Sequence, residues 1–131
     1  MVMSTDNKTP LEGTKLANFK AGQPVDGLGI EDVQDGTGDT VQPNATISAH
    51  YTGALATDGT IFQSSHDNGG PVTFGLNQVI PGWTLGVPGM KVGGIRRLVI
   101  PAAQAYGERS PSPNIPPNSD LVFDIELVEI K

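Results

Sequence analysis

The polar and apolar positions of this 131-residue chain sort into short stretches with a period of two and one stretch with a period near that of a helix. Thr46 to Tyr51 alternates, with Ile47, Ala49 and Tyr51 on one side and Thr46, Ser48 and His50 on the other, the pattern of a half-buried strand. Leu121 to Ile130 is the clearest strand: Phe123, Ile125 and Leu127 point one way, Asp124 and Glu126 the other. Gly29 to Val33, Ile61-Phe62, Val72 to Phe74 and the β-branched run Ile95 to Ile100 read as further extended segments. Turn chemistry separates them at Asp35-Gly36-Thr37-Gly38-Asp39 and at Thr57-Asp58-Gly59-Thr60. Phe74 to Val87 breaks this rhythm, because Val79, Ile80, Trp83 and Val87 recur near helical spacing and would share one apolar face. Pro81 suits the first turn of a helix and Pro88 forbids its continuation, so the helix is very short. A helix of that length is unstable alone in water and must be held by the strands around it. The pattern predicts an α+β fold, an antiparallel sheet packed on a lone helix.

Two stretches lie outside this pattern. Residues 1–24 are polar, with Leu11, Leu16 and Phe19 scattered at no sustained period, and are expected to form a flexible N-terminal extension. Residues 25–131 then make one domain, long enough to bury a real core. Pro101 to Ser119 is long, irregular and rich in Pro, Gly and Ser, and loops of that length in compact domains are often functional. The 17 glycines and 11 prolines suit short strands joined by turns.

A net charge of −6 argues against nucleic-acid partners and anionic membrane surfaces. The absence of cysteine excludes a disulfide framework and thiolate metal sites. No apolar run approaches the ~18 residues that span a bilayer, and the first residues lack the basic and apolar regions of a signal peptide. A cytoplasmic protein is expected, with an exported or anchored form left open if a leader had been removed.

Aromatic residues make up only 5% of the chain, so their positions carry information. Trp83 alone fits either a core residue or the floor of an apolar pocket. Other chemistries fare worse. His50 falls on the polar face of its strand and His66 in a loop, which suits surface roles. Asp58, Asp67 and Asp120 read as turn residues rather than an acid pair. Gly93-Gly94 is too sparse to cradle a phosphate. Arg96 and Arg97 read as a solvated strand face or edge protection. No metal centre and no cofactor are expected.

Several stretches together resemble one family. His50-Tyr51-Thr52-Gly53, then Asp58-Gly59-Thr60-Ile61-Phe62 with Ser64-Ser65, is similar to the first signature of the FKBP family. Gln78-Val79-Ile80-Pro81-Gly82-Trp83 followed by Gly89-Met90-Lys91-Val92-Gly93-Gly94 resembles the second. Ala105-Tyr106-Gly107, Ile115-Pro116-Pro117-Asn118 and Leu121 to Leu127 resemble the third. Each fragment is weak by itself; all of them in order, over about Val25 to Lys131, are specific. The resemblance implies a curved antiparallel sheet of about five strands wrapped around one short helix. It implies a peptidyl-prolyl cis-trans isomerase, monomeric, acting on proline-containing polypeptides in protein folding and binding macrolides of the rapamycin and tacrolimus type.

Carried over by position, the resemblance assigns catalysis to Tyr51, Phe62, Gln63, Ile80, Trp83, Tyr106 and Phe123, and substrate binding to Val72, Phe74, Val79 and Ile115. Trp83 would be the floor, the Ile80 N–H and the Tyr106 hydroxyl would donate to substrate carbonyls, and the loop after Ala105 would be a flap. This chain departs from the family pattern at three places. Gln63 stands where an acidic residue is usual, Val72 replaces a frequent aromatic, and Pro111 and Asn114 change the flap. A rival reading keeps the pocket but makes it a binding module for proline segments, or a chaperone, with incidental catalysis.

Overall fold

A computed structural model describes residues 10–131. Six strands form one antiparallel sheet, where about five were expected: β1 (Gly29–Gln34), β2 (Thr46–Leu55), β3 (Ile61–Ser64), β4 (Val72–Gly75), β5 (Ile95–Ile100) and β6 (Leu121–Ile130). Their order is β1-β5-β6-β2-β3, with β4 also paired to β2. β2 and β6 are the long central pair, and their register runs from Ile47 opposite Ile130 to Leu55 opposite Leu121. One irregularity, between Ser48 and Ala49, resets the register opposite β6, where Val128 is left exposed. The predicted alternation holds: Ile47, Ala49, Phe123, Ile125 and Leu127 are buried on the face that receives the helix.

The one α-helix among the described residues, α1 (Pro81–Gly86), starts with Pro81 in its first turn, and the chain turns away at Val87-Pro88. The apolar residues that predicted its inward face, Val79, Ile80, Trp83 and Val87, all join the main core, and two glycines complete the contact with the sheet. Gly82 and Gly86, one turn apart, lie against β5. A Cβ at Gly82 would come within 2.6 Å of Ile100 side-chain carbons, and one at Gly86 within 2.8 Å of Leu98. Trp83 and Val87 are buried beside them, Val79 and Ile80 stay only partly buried at the N-terminal end, and Leu85 faces solvent. A short helix without side-chain capping depends on outside partners for its free carbonyls. Arg96 supplies them, its Nη1 donating to Gly86 O at 2.8 Å and Pro88 O at 3.2 Å.

This corrects the expectation of Arg96 as part of a solvated face. It is 9% exposed, on the same side of β5 as Leu98 and Ile100, and its Nε and Nη2 grip the Asp32 carboxylate of β1 at 2.6 and 3.3 Å. The planar guanidinium suits this arrangement, since its fork can serve a carboxylate and two carbonyls together. Arg97 points the other way and grips Asp124 of β6 at 2.6 and 2.8 Å. That pairing holds its guanidinium pKa above the ordinary arginine value.

The expectation of a loose extension over 1–24 does not describe residues 10–24; residues 1–9 lie outside the described part. Leu11, Leu16 and Phe19 pack on a second apolar cluster of Ala54, Ile61 and Val122, on the opposite sheet face from the helix. Backbone bonds fix the arm: Gly13 N–H to Ile61 O, Leu16 N–H to Gly59 O and Gly22 N–H to Ala56 O, at 2.8, 2.8 and 2.9 Å. Arg97 adds a clamp, donating to Asn18 O and Ala17 O at 2.7 and 2.9 Å beneath the Phe19 ring. Among the described residues no helix is long and apolar enough to cross a bilayer.

Candidate functional site

Five of the seven aromatic residues converge at the N-terminal end of α1. The strands deliver them: Tyr51 from β2, Phe62 from β3, Phe74 from β4 and Phe123 from β6, around Trp83 of the helix. Trp83 is the most buried, at 3% exposure. It meets Phe74, Phe123 and Tyr51 edge-on at centroid distances of 4.9, 5.4 and 5.7 Å. Phe62 meets Phe123 at 5.8 Å and 86°. Edge-to-face contacts set the rings at steep angles to one another, which leaves a concave apolar bowl rather than a flat stack. The bowl is a cavity of about 440 Å³, within the range of small-molecule sites. Tyr106 and Gln63 close its sides, and Val79 and Ile80 form the rim above the helix.

Gly53 is needed for this packing. It lies opposite both Phe123 and Gln63 across the sheet. A Cβ there would stand 2.7 Å from Phe123 Cε1 and from Phe62 Cζ, so the two rings meet over a position that no side chain occupies. Tyr51 is held by a different device. β2 is paired to β4 up to Ala49 and to β3 from Thr52, so on that edge the Tyr51 peptide groups have no strand partner. The buried Ser65 hydroxyl serves instead, accepting from Tyr51 N–H at 2.8 Å and donating to Tyr51 O at 3.3 Å. His50 Nδ1 stands 2.9 Å from the same hydroxyl, and its ring stacks on His66 at 4.2 Å.

The titratable groups among the lining residues are the two phenols. Burial, with Tyr106 close by, pushes the Tyr51 hydroxyl above the ordinary tyrosine value, so at neutral pH it is an uncharged donor. The Ile80 backbone N–H and the Tyr106 hydroxyl have no partner among the described residues. The site can therefore hold carbonyl oxygens by neutral hydrogen bonds over an apolar floor, with no carboxylate or imidazole in its lining.

Of the residues predicted from sequence, Tyr51, Phe62, Gln63, Phe74, Val79, Ile80, Trp83, Tyr106 and Phe123 line this cavity. Val72 and Ile115 do not. Val72 shares the face of β4 with Phe74 but lies two residues before it, 37% exposed and outside the cavity lining. Ile115, within the long loop itself, is buried in the core, and Ser110 Oγ donates to its carbonyl. Backbone and side-chain bonds hold that loop closed: the Asp120 carboxylate accepts from Ala102 N–H, Gly107 N–H donates to Ala102 O, and Gly107 O accepts from Asn118 N–H. Sequence reasoning assigned no role to Gln78, which lines the cavity, or to Ser65. Both stood inside the motifs, and what they lacked was any periodic or charge signal.

Comparison with known proteins bears on this arrangement. Residues 38–128 match the model of the family described as FKBP-type peptidyl-prolyl cis-trans isomerase. The chain is 50% identical over 91 residues to the Saccharomyces cerevisiae peptidyl-prolyl cis-trans isomerase FPR2, covering 68% of this chain and 67% of that one. It is 42% identical over 124 residues to a probable FKBP-type peptidyl-prolyl cis-trans isomerase of Haemophilus influenzae, covering 91% of this chain but only about half, 51%, of that protein. Among solved structures, a peptidyl-prolyl cis-trans isomerase from Pseudomonas syringae superposes with a TM-score of 0.72 at 39% identity, over 81% of this chain and 77% of the other.

Proposed function

The chain belongs to the FKBP-type peptidyl-prolyl cis-trans isomerase family, and on that footing we propose that the aromatic bowl accelerates rotation about X-Pro bonds by receiving the twisted amide. Amide resonance opposes this rotation with a barrier of about 18–20 kcal/mol. Before proline both isomers are populated, yet they exchange only over tens to hundreds of seconds. No bond is made or broken, so no nucleophile or proton transfer is required; the site must bind the twisted form better than either planar form. Twisting removes resonance and reduces the amide dipole. A dry, apolar surround therefore penalises the transition state less than the ground state.

The observation that carries this reading is the cavity itself, four rings around Trp83 with only neutral donors beside them. In it the prolyl ring rests on Trp83 between Tyr51, Phe74 and Phe123, and the Ile80 N–H and Tyr106 O–H take the flanking carbonyls. Phe62, Gln63 and Val79 shape the walls. All of these residues come from one chain, so a monomer suffices. An apolar cavity of this size also suits macrolides of the rapamycin type, with Gln63 facing a ligand hydroxyl as a neutral acceptor. Clients are proline-limited polypeptides.

A protease-coupled assay on a short X-Pro peptide tests this directly. Catalysed exchange that a macrolide competes away is expected. Peptide binding with no acceleration would make the protein a proline-segment binder instead. Binding of neither peptide nor macrolide would remove the proposal.

A further inference from the structure

The aromatic cavity has a smaller neighbour. A cleft of about 160 Å³ lies between the N-terminal arm and the long loop, lined by Glu12, Gly13, Thr60, Ile61, Phe62 and Asn114. Phe62 lines both spaces, so the two adjoin at this residue. The cleft depends on the docked arm. Gly13 N–H donates to Ile61 O and Ile61 N–H to Thr14 O, both at 2.8 Å. The Asp67 carboxylate accepts from Leu11 and Glu12 N–H at 2.8 and 3.0 Å, fixing the backbone that presents Glu12. From the loop side, Asn114 Nδ2 donates to Glu12 Oε2 at 3.3 Å. The wall formed by Glu12 and Gly13 lies outside the family-matched residues 38–128.

Resting on the isomerase reading, the geometry points to this cleft as a subsite for a residue flanking the substrate proline, with Lys or Arg favoured there over Glu or Asp. An extended chain advances about 3.3–3.6 Å per residue, so a proline seated in the aromatic cavity carries a residue two or three positions away past Phe62, where the two spaces adjoin. Glu12 is the acidic side chain of the lining. Asp67 holds the arm, and the Lys15–Asp58 pair, 4.0 Å apart, stands at the Thr60 wall, where the Lys15 ammonium donates to Thr60 Oγ1 at 2.8 Å. With Lys15 and Asp58 offsetting each other, the Glu12 carboxylate is the charge that the lining itself presents. A lysine or arginine stem can cover Ile61 and Phe62 while its charged head reaches the Glu12 carboxylate. Glu12 is solvent-exposed, and exposed pairs are weak, so the preference is modest: about two- to five-fold in kcat/KM.

The test uses the full chain, Glu12→Gln and Glu129→Gln, the last a control charge on β6 paired to Lys131. Glutamine keeps the acceptor for Asn114 and the size of the side chain, removing only the charge. Peptides carry Lys or Glu at each position within about three residues on either side of the proline, the reach set by extended-chain spacing. A further peptide is too short to leave the main cavity. At low ionic strength the parent should show a Lys-over-Glu ratio that peaks at one flanking position. That peak should vanish in Glu12→Gln and persist in Glu129→Gln, while all three proteins turn over the short peptide equally. A flat ratio in the parent, or a peak that survives in Glu12→Gln, overturns the subsite and leaves the isomerase reading intact. Failure of the parent on the short peptide overturns the isomerase reading and the subsite with it.

Discussion

Replacing Gly53 by alanine adds one methyl group at the point where two walls of the cavity meet. The new carbon would lie 2.7 Å from both Phe123 Cε1 and Phe62 Cζ, and 2.9 Å from Phe62 Cε1. Carbon contacts are most favourable at about 3.5–4.0 Å, so each ring must retreat by about 1 Å. Neither can do so freely: Phe123 is also edge-on to Trp83, and both phenylalanines are buried. Overpacking of this kind costs about 1–3 kcal/mol, and disturbing the Phe62–Phe123 pair about 0.5–1.5 kcal/mol more. Against this stands a gain of about 0.5–1 kcal/mol from removing a glycine from a strand interior. The net expectation is a loss of about 1–3 kcal/mol in urea unfolding, or about 3–10 °C in Tm for a chain of this size. The catalytic effect should be proportionately larger, because a misplacement of about 1 Å can cost a hundredfold in rate. Equilibrium unfolding and isomerase kinetics on one preparation decide the matter. An unchanged or raised Tm together with unchanged kcat/KM would show that the rings move without penalty and that their contact over Gly53 does not define the cavity.

Tyr106→Phe should fold as the parent does and lose only about 0.5–1.5 kcal/mol of transition-state binding, the worth of one neutral hydrogen bond; a loss beyond a hundredfold would mean the hydroxyl does proton-transfer work. Gln63→Asp should change kcat/KM by less than about tenfold, under 1.4 kcal/mol, while tightening macrolide binding through a charge-assisted bond, and a rise in turnover by orders of magnitude would contradict the apolar account. Deleting residues 1–24 strips the cover from Ala54, Ile61 and Val122, so urea unfolding should fall by more than about 2 kcal/mol, with Phe19→Ala alone costing about 1–2 kcal/mol; an unaltered midpoint would show that the arm adds nothing. Tyr51 supplies a pH test. Burial and Tyr106 raise its folded-state value, so the folded protein holds this proton longer than the unfolded chain; its contribution is intact below about pH 10 and is lost as pH rises through the higher folded value. The urea midpoint of the parent should fall faster than that of Tyr51→Phe above about pH 10; parallel profiles would remove the claim.

What the sequence determined alone is what short-range chemistry controls. Alternation in Thr46 to Tyr51 and in Leu121 to Ile130 assigned strands and inward faces, because side chains on a strand point to opposite sides in turn. Pro81 and Pro88 bounded the helix, because proline acts on its own backbone and that of its neighbours. The motif order placed nine of the eleven predicted site residues, all but Val72 and Ile115, around one cavity. The features legible only in the tertiary structure depend on partners distant in sequence. Arg96 reads as a surface charge until Asp32, Gly86 and Pro88 surround it. Gly82 and Gly86 carry no hydrophobic signal, yet they form the helix face that meets β5, since contact there requires the absence of a side chain. Residues 10–24 show no period because the arm docks through backbone bonds and three separated apolar residues. Local pattern can show that a residue belongs to a strand or a helix; which distant group satisfies it is decided only when the chain has closed on itself.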